Sequence, residues 1–126
     1  MACGDEDKRA LSPLIRRFIE LSRKVRREGF QSLEAELAAS DDSLFKIGLR
    51  LVAEGLSGEP LEDILSTYLL TQDEKGWPFL KACVTIEGLL SIAEGDEAAL
   101  IVRKLVPYFG ADRAFAALQD LESSAP

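Results

Sequence analysis

Apolar residues recur at steps of three and four along nearly the whole chain. A helix repeats about every 3.6 residues and a strand every two, so this pattern supplies helices and no sheet. Composition agrees: Leu, Ala and Glu are the commonest residues, while Val, Thr and Tyr are sparse. With 126 residues, 47% of them hydrophobic, the chain is long enough to bury a core as one domain. The expected fold is all-α, a compact bundle of six to seven short helices over residues 12–126, after a polar tail at 1–11.

Glycine, proline and capping residues divide the bundle. Ser12 and Pro13 open a helix that runs to Glu28, with Leu14, Ile15, Phe18, Leu21, Ser22 and Val25 as its buried stripe; Gly29 breaks it. A shorter helix follows over Ser32–Ala39, with Leu33 and Leu37 on one face. The Ser40–Ser43 cluster caps a third helix reaching Glu54, where Gly48 predicts a close helix crossing. A fourth begins near Pro60, with Leu61, Ile64, Leu65, Tyr68 and Leu69 facing inward. After a polar connector, Pro78 starts a fifth helix with Phe79, Cys83, Ile86 and Leu90 in register. Asp96 caps a sixth helix and Asp112 a last one. No internal repeat and no low-complexity tract is expected.

Several chemistries are thinned out. Histidine is absent, which removes the commonest general base and metal ligand. Cys3 and Cys83 match no metal or redox spacing and are read as reduced thiols, with a single disulfide as the alternative. No carboxylate pair has the spacing for acid–base work, so no catalytic residue, metal or cofactor is expected and the chain is read as a non-enzyme. No stretch approaches the about 20 apolar residues that span a bilayer, and the N-terminus lacks the apolar segment of a secretory signal, so a soluble cytoplasmic protein is expected.

The net charge of −7 argues against nucleic acid as a partner. Its distribution is lopsided. Eight basic residues lie between Lys8 and Arg27 against Glu20 alone, and the rest of the chain is mainly acidic.

Two stretches carry a family resemblance. The first runs Arg26-Arg27-Glu28-Gly29-Phe30-Gln31-Ser32-Leu33-Glu34, then Asp42 to Phe45, then Gly48-Leu49-Arg50-Leu51-Val52-Ala53-Glu54-Gly55. The second runs Ile86-Glu87-Gly88-Leu89-Leu90-Ser91-Ile92-Ala93-Glu94-Gly95 and continues through Val102–Leu105 to Tyr108-Phe109. They resemble, in order, the two cytoplasmic segments of the flagellar motor's stator A subunit (MotA) family. In that family two membrane helices separate the segments; here only about Thr71–Thr85 does. The resemblance therefore implies a stator-like cytoplasmic domain without the ion pathway, recruited to the base of the flagellar motor.

It also implies partner-facing charges. Arg26 and Glu34 align with the family's rotor-facing arginine and glutamate, and Arg23, Lys24 and Arg27 extend the basic face. The partner expected is the rotor switch-ring protein or a second copy of the chain. The plainer alternative is a solvated helix end with an internal Arg26–Glu34 pair contributing about 0–1 kcal/mol. For Arg23, Lys24 and Arg27 the alternatives are solubility or weak peripheral attraction to an anionic membrane. Trp77 is either a partner anchor or a lid over its own core, and Glu87 a surface carboxylate near Lys81 or Lys104. The competing functional reading is a generic helical adaptor with an unrelated protein partner.

Overall fold

A computed structural model describes residues 10–72 and 75–124. Helix makes up 85% of the structure, and no strand forms among the described residues. The elements are α1 (Leu11–Glu28), η1 (Phe30–Ala39, a 3-10 helix), α2 (Ser43–Ala53), α3 (Gly58–Thr71), α4 (Trp77–Ala93), α5 (Ala98–Leu105), η2 (Val106–Phe109) and α6 (Ala111–Ser124). Because η2 continues α5 directly, the chain path makes seven helical rods among the described residues. Among the described residues no helix is long and apolar enough to cross a membrane. Most of the expected tail, with Cys3, lies outside the described residues; its last residue, Leu11, opens α1 and is fully buried.

α1 forms as its periodicity requires. Ile15, Phe18, Leu21, Ser22 and Val25 are buried with Leu11 and Ile19, while Leu14 sits at the stripe's edge. Gly29, with φ of +88°, ends the helix, and its N–H donates to the Val25 carbonyl at 2.7 Å. α2 is capped from the expected cluster by Asp42, whose Oδ1 accepts from the Phe45 N–H at 3.1 Å.

Four expectations need correction. The second helix is 3-10 rather than α, with only Leu33 fully buried. In α3, Leu61 and Leu65 are buried but Ile64 and Tyr68 face solvent. In α4, Phe79 is exposed and Cys83 and Leu90 are half-buried, whereas Ala82, Val84, Thr85, Ile86, Leu89 and Ile92 are covered. The reason is position: α4 packs against α1, α2, α3 and α5, so it buries more than one stripe. Finally, Asp96 and Asp112 are not caps; Glu97 precedes α5 without a side-chain bond, and Asp112 lies inside the first turn of α6.

A repeat is also present where none was expected. The hairpin α2–α3 recurs forty positions later as α4–α5, without a gap: Gly48-Leu49 matches Gly88-Leu89, Ala53-Glu54-Gly55 matches Ala93-Glu94-Gly95, and Leu65 and Tyr68 match Leu105 and Tyr108. The corners are built alike. Leu56 N–H donates to Leu51 C=O at 3.0 Å and Gly55 N–H to Val52 C=O at 2.9 Å; the counterparts, Asp96 to Ser91 and Gly95 to Ile92, measure 3.1 and 3.0 Å. Gly55 and Gly95 both take the positive φ that this helix-ending motif needs.

Each hairpin also has a glycine socket. A Cβ on Gly48 would collide with the side chain of Leu89, and one on Gly88 with the ring of Phe18. Thus α4 seats on the first hairpin as α1 seats on the second. Phe18 then stacks on Phe45, ring centroids 5.4 Å apart, and ties α1 to α2.

Candidate interaction surface

Opposite its buried stripe, α1 presents charge. Helical spacing sets Arg16, Glu20, Arg23 and Arg27 along its outward ridge, with Arg17 and Lys24 on the flank toward η1. Glu36 of η1 answers that flank: Arg17 Nη2 donates to one carboxylate oxygen at 3.0 Å and Lys24 Nζ to the other at 2.7 Å. The Arg17 guanidinium also lies over the Phe45 ring, 5.6 Å from its centroid. Together Arg17, Glu20, Arg23, Lys24, Arg27 and Glu36 line a shallow cleft of about 270 Å³.

The hydrogen bond from Lys24 is the main influence on Glu36. It holds the carboxyl below its ordinary value, with Arg17 helping and partial burial opposing. Glu36 is therefore ionised at neutral pH and offsets two of the cleft's cations. Arg23 has no ion pair among the described residues, and Arg27 has only a long contact, 3.8 Å, to its neighbour Glu28.

Arg26 points elsewhere. Its Nη1 donates to the Gly95 carbonyl at 3.2 Å, and Nη2 lies 3.5 Å from Glu97. Beside it, Ser22 Oγ donates to the Asp96 carbonyl at 2.9 Å, so α1 grips the α4–α5 corner with two side chains. Asp96 locks the same corner from within, accepting from Ser91 Oγ and Lys104 Nζ. Burial works to raise its carboxyl, but those hydrogen bonds prevail and the net shift is downward.

Of the five residues singled out in sequence, the structure brings Arg23, Lys24 and Arg27 into one cleft. Arg26 sits at the α4–α5 corner, half-exposed, and Glu34 stands in solvent on η1. No Arg26–Glu34 pair forms among the described residues. The residues missed are Arg17 and Glu36, and what places Glu36 is the 3-10 geometry of η1. A 3-10 helix has three residues per turn, so Glu36 lies directly above the buried Leu33 and faces α1, while Glu34 faces away.

The remaining singled-out residues are quieter. Trp77 is half-buried against the core. Glu87 does not pair with either lysine, because Lys81 binds Asp42 and Lys104 binds Asp96. Burial raises the Tyr108 hydroxyl, with Glu87 and Cys83 adding to the effect, and burial likewise raises the free Cys83 thiol.

Over 62 residues the chain is 39% identical to Motility protein A of Borreliella burgdorferi and 32% identical to Motility protein A of Treponema phagedenis. The chain is similar to Motility protein A over half its length. In each case the match covers 49% of this chain but only 24% of the relative, so the chain spans about a quarter of the length of these curated relatives. No protein-family model and no solved structure matches it.

Proposed function

We propose that this chain is a non-catalytic interaction domain of the flagellar motor, acting in the cytoplasm at the motor base. Similarity to Motility protein A over half the chain supports motor association. The observation that carries the contact is the α1 ridge, where Arg23 and Arg27 stand one turn apart with no strong intramolecular partner. Arg23 loses no existing ion pair when it meets a carboxylate on another protein, and Arg27 loses only its long contact to Glu28. The partner proposed is the rotor switch-ring protein, met through an acidic surface, with Glu34 on η1 available to a partner cation.

Purified switch-ring protein should be captured by the wild-type chain at low salt. Capture should fall at least about tenfold in the Arg23→Glu/Arg27→Glu variant, equivalent to about 1.4 kcal/mol. Equal capture by both proteins, or none by the wild type, would reject the reading in favour of an unrelated partner.

A further inference from the structure

The two hairpins act as an internal control on which surface residues the fold demands. Their buried positions agree: Leu49, Leu61 and Leu65 answer Leu89, Ile101 and Leu105, and all six are fully buried. Their outer helices do not. α5 is covered by α1, α6 and η2, whereas α3 packs mainly on α2 and α4 and leaves its outward face open. On that face α3 carries three acids, Glu59, Glu62 and Asp63, and no basic residue. The positions matching Glu59 and Asp63 are Ala99 and Arg103, so the hairpin itself does not call for acid there.

None of the three acids has an ion-pair partner among the described residues. Ile64 and Tyr68, 36% and 42% exposed, lie around on the other side of α3, while Leu70, 84% exposed, lies on the side of the acids. Glu59 and Asp63 stand one helical turn apart, and Leu70 continues their row. The α1 ridge bears the opposite pattern at the same spacing, Arg23 and Arg27 one turn apart. Within one molecule these faces cannot meet, because α4 packs between α1 and α3.

We propose that the acidic face of α3 docks on the α1 ridge of a second copy, Glu59 and Asp63 meeting Arg23 and Arg27, in a head-to-tail contact. Such a contact uses two different patches, so a row of copies keeps a free α1 ridge at one end and a free α3 face at the other to extend from. Motor association is not needed for it. The α1 ridge is shared with the proposed partner, so a second copy and the partner exclude each other there.

Sedimentation of the wild-type chain at about 1 mM tests this first. In about 10 mM salt the mean mass should exceed the monomer's, and in about 1 M salt, where charges are screened beyond about 3 Å, it should return to it. Glu59→Lys/Asp63→Lys and Arg23→Glu/Arg27→Glu variants should each stay monomeric in low salt, with helical circular dichroism unchanged since all four side chains lie at the surface. Mixed in equal amounts, they should associate again, because the intact ridge of one meets the intact acidic face of the other and the two reversed patches are complementary as well. A wild type monomeric in low salt, association that survives in either variant, or a mixture that does not associate would overturn the proposal. The α3 variant keeps its α1 ridge, so its capture of switch-ring protein separates failure of self-association from failure of the motor reading.

Discussion

A methyl group added at Gly88 has nowhere to go. It would enter the ring of Phe18, which is fully buried and itself stacked on Phe45. A methyl at Gly48 collides as well, but with the end of the Leu89 side chain, which can rotate. Alanine brings each helix up to about 1 kcal/mol of propensity, set against an overpacking cost of about 1–3 kcal/mol. Gly88→Ala should therefore lower stability by about 2 kcal/mol, while Gly48→Ala stays within about 1 kcal/mol of the wild type. Urea unfolding of the two variants checks the order. Equal stabilities would mean that the Phe18 ring moves as freely as a leucine methyl.

Among the elements, η1 depends most on charge. It is ten residues long, well beyond the usual 3-10 run, and one fully buried side chain, Leu33, anchors it. Glu36 supplies a second anchor by bridging Arg17 and Lys24. The folded Glu36 carboxyl titrates below its ordinary 4.5 and Asp96 below its ordinary 3.8. As pH falls, the unfolded chain takes up these protons first. The stability the two groups contribute is thus complete above their ordinary values and lost as pH drops through the lower folded values. Glu36→Gln should cost about 1 kcal/mol at neutral pH and nothing below the folded titration. A constant difference down to acid pH would show that Glu36 acts through packing rather than charge. Its place also shows where sequence reading stopped. The α1 stripe and the Asp42 cap were legible because each is set by neighbours a turn away. The Gly48 crossing was legible because a glycine inside an apolar helix marks a close approach even when its partner, Leu89, is far along the chain. Glu36 was not, because reading η1 as an α-helix put Leu37 rather than Glu36 over Leu33. The outward turn of Ile64 and Tyr68 was hidden too, since α3 has few helices to face and periodicity cannot count neighbours.

At the scale of the whole molecule, the same basic segment has two duties that its sequence runs together. Arg23, Arg26 and Arg27 are close in the chain, yet α1 turns Arg26 toward the α4–α5 corner and leaves the other two on the ridge. The corner is where the second hairpin meets α1, gripped by Ser22 and Arg26 from one side and closed by Asp96 from within. Releasing Arg26 should loosen that junction without unfolding the bundle, because the side chain is half-exposed and its contacts are individually weak. In Arg26→Ala, the Gly95 and Asp96 amides, which close the corner onto Ile92 and Ser91, should exchange hydrogen severalfold faster, while core amides of α4 keep their protection. Arg23→Ala should leave both sets unchanged. If the two variants exchange alike at the corner, Arg26 belongs with the ridge after all. If only Arg26→Ala speeds exchange, any binding defect of an Arg26 variant has to be corrected for the slackened corner before it is credited to a partner contact.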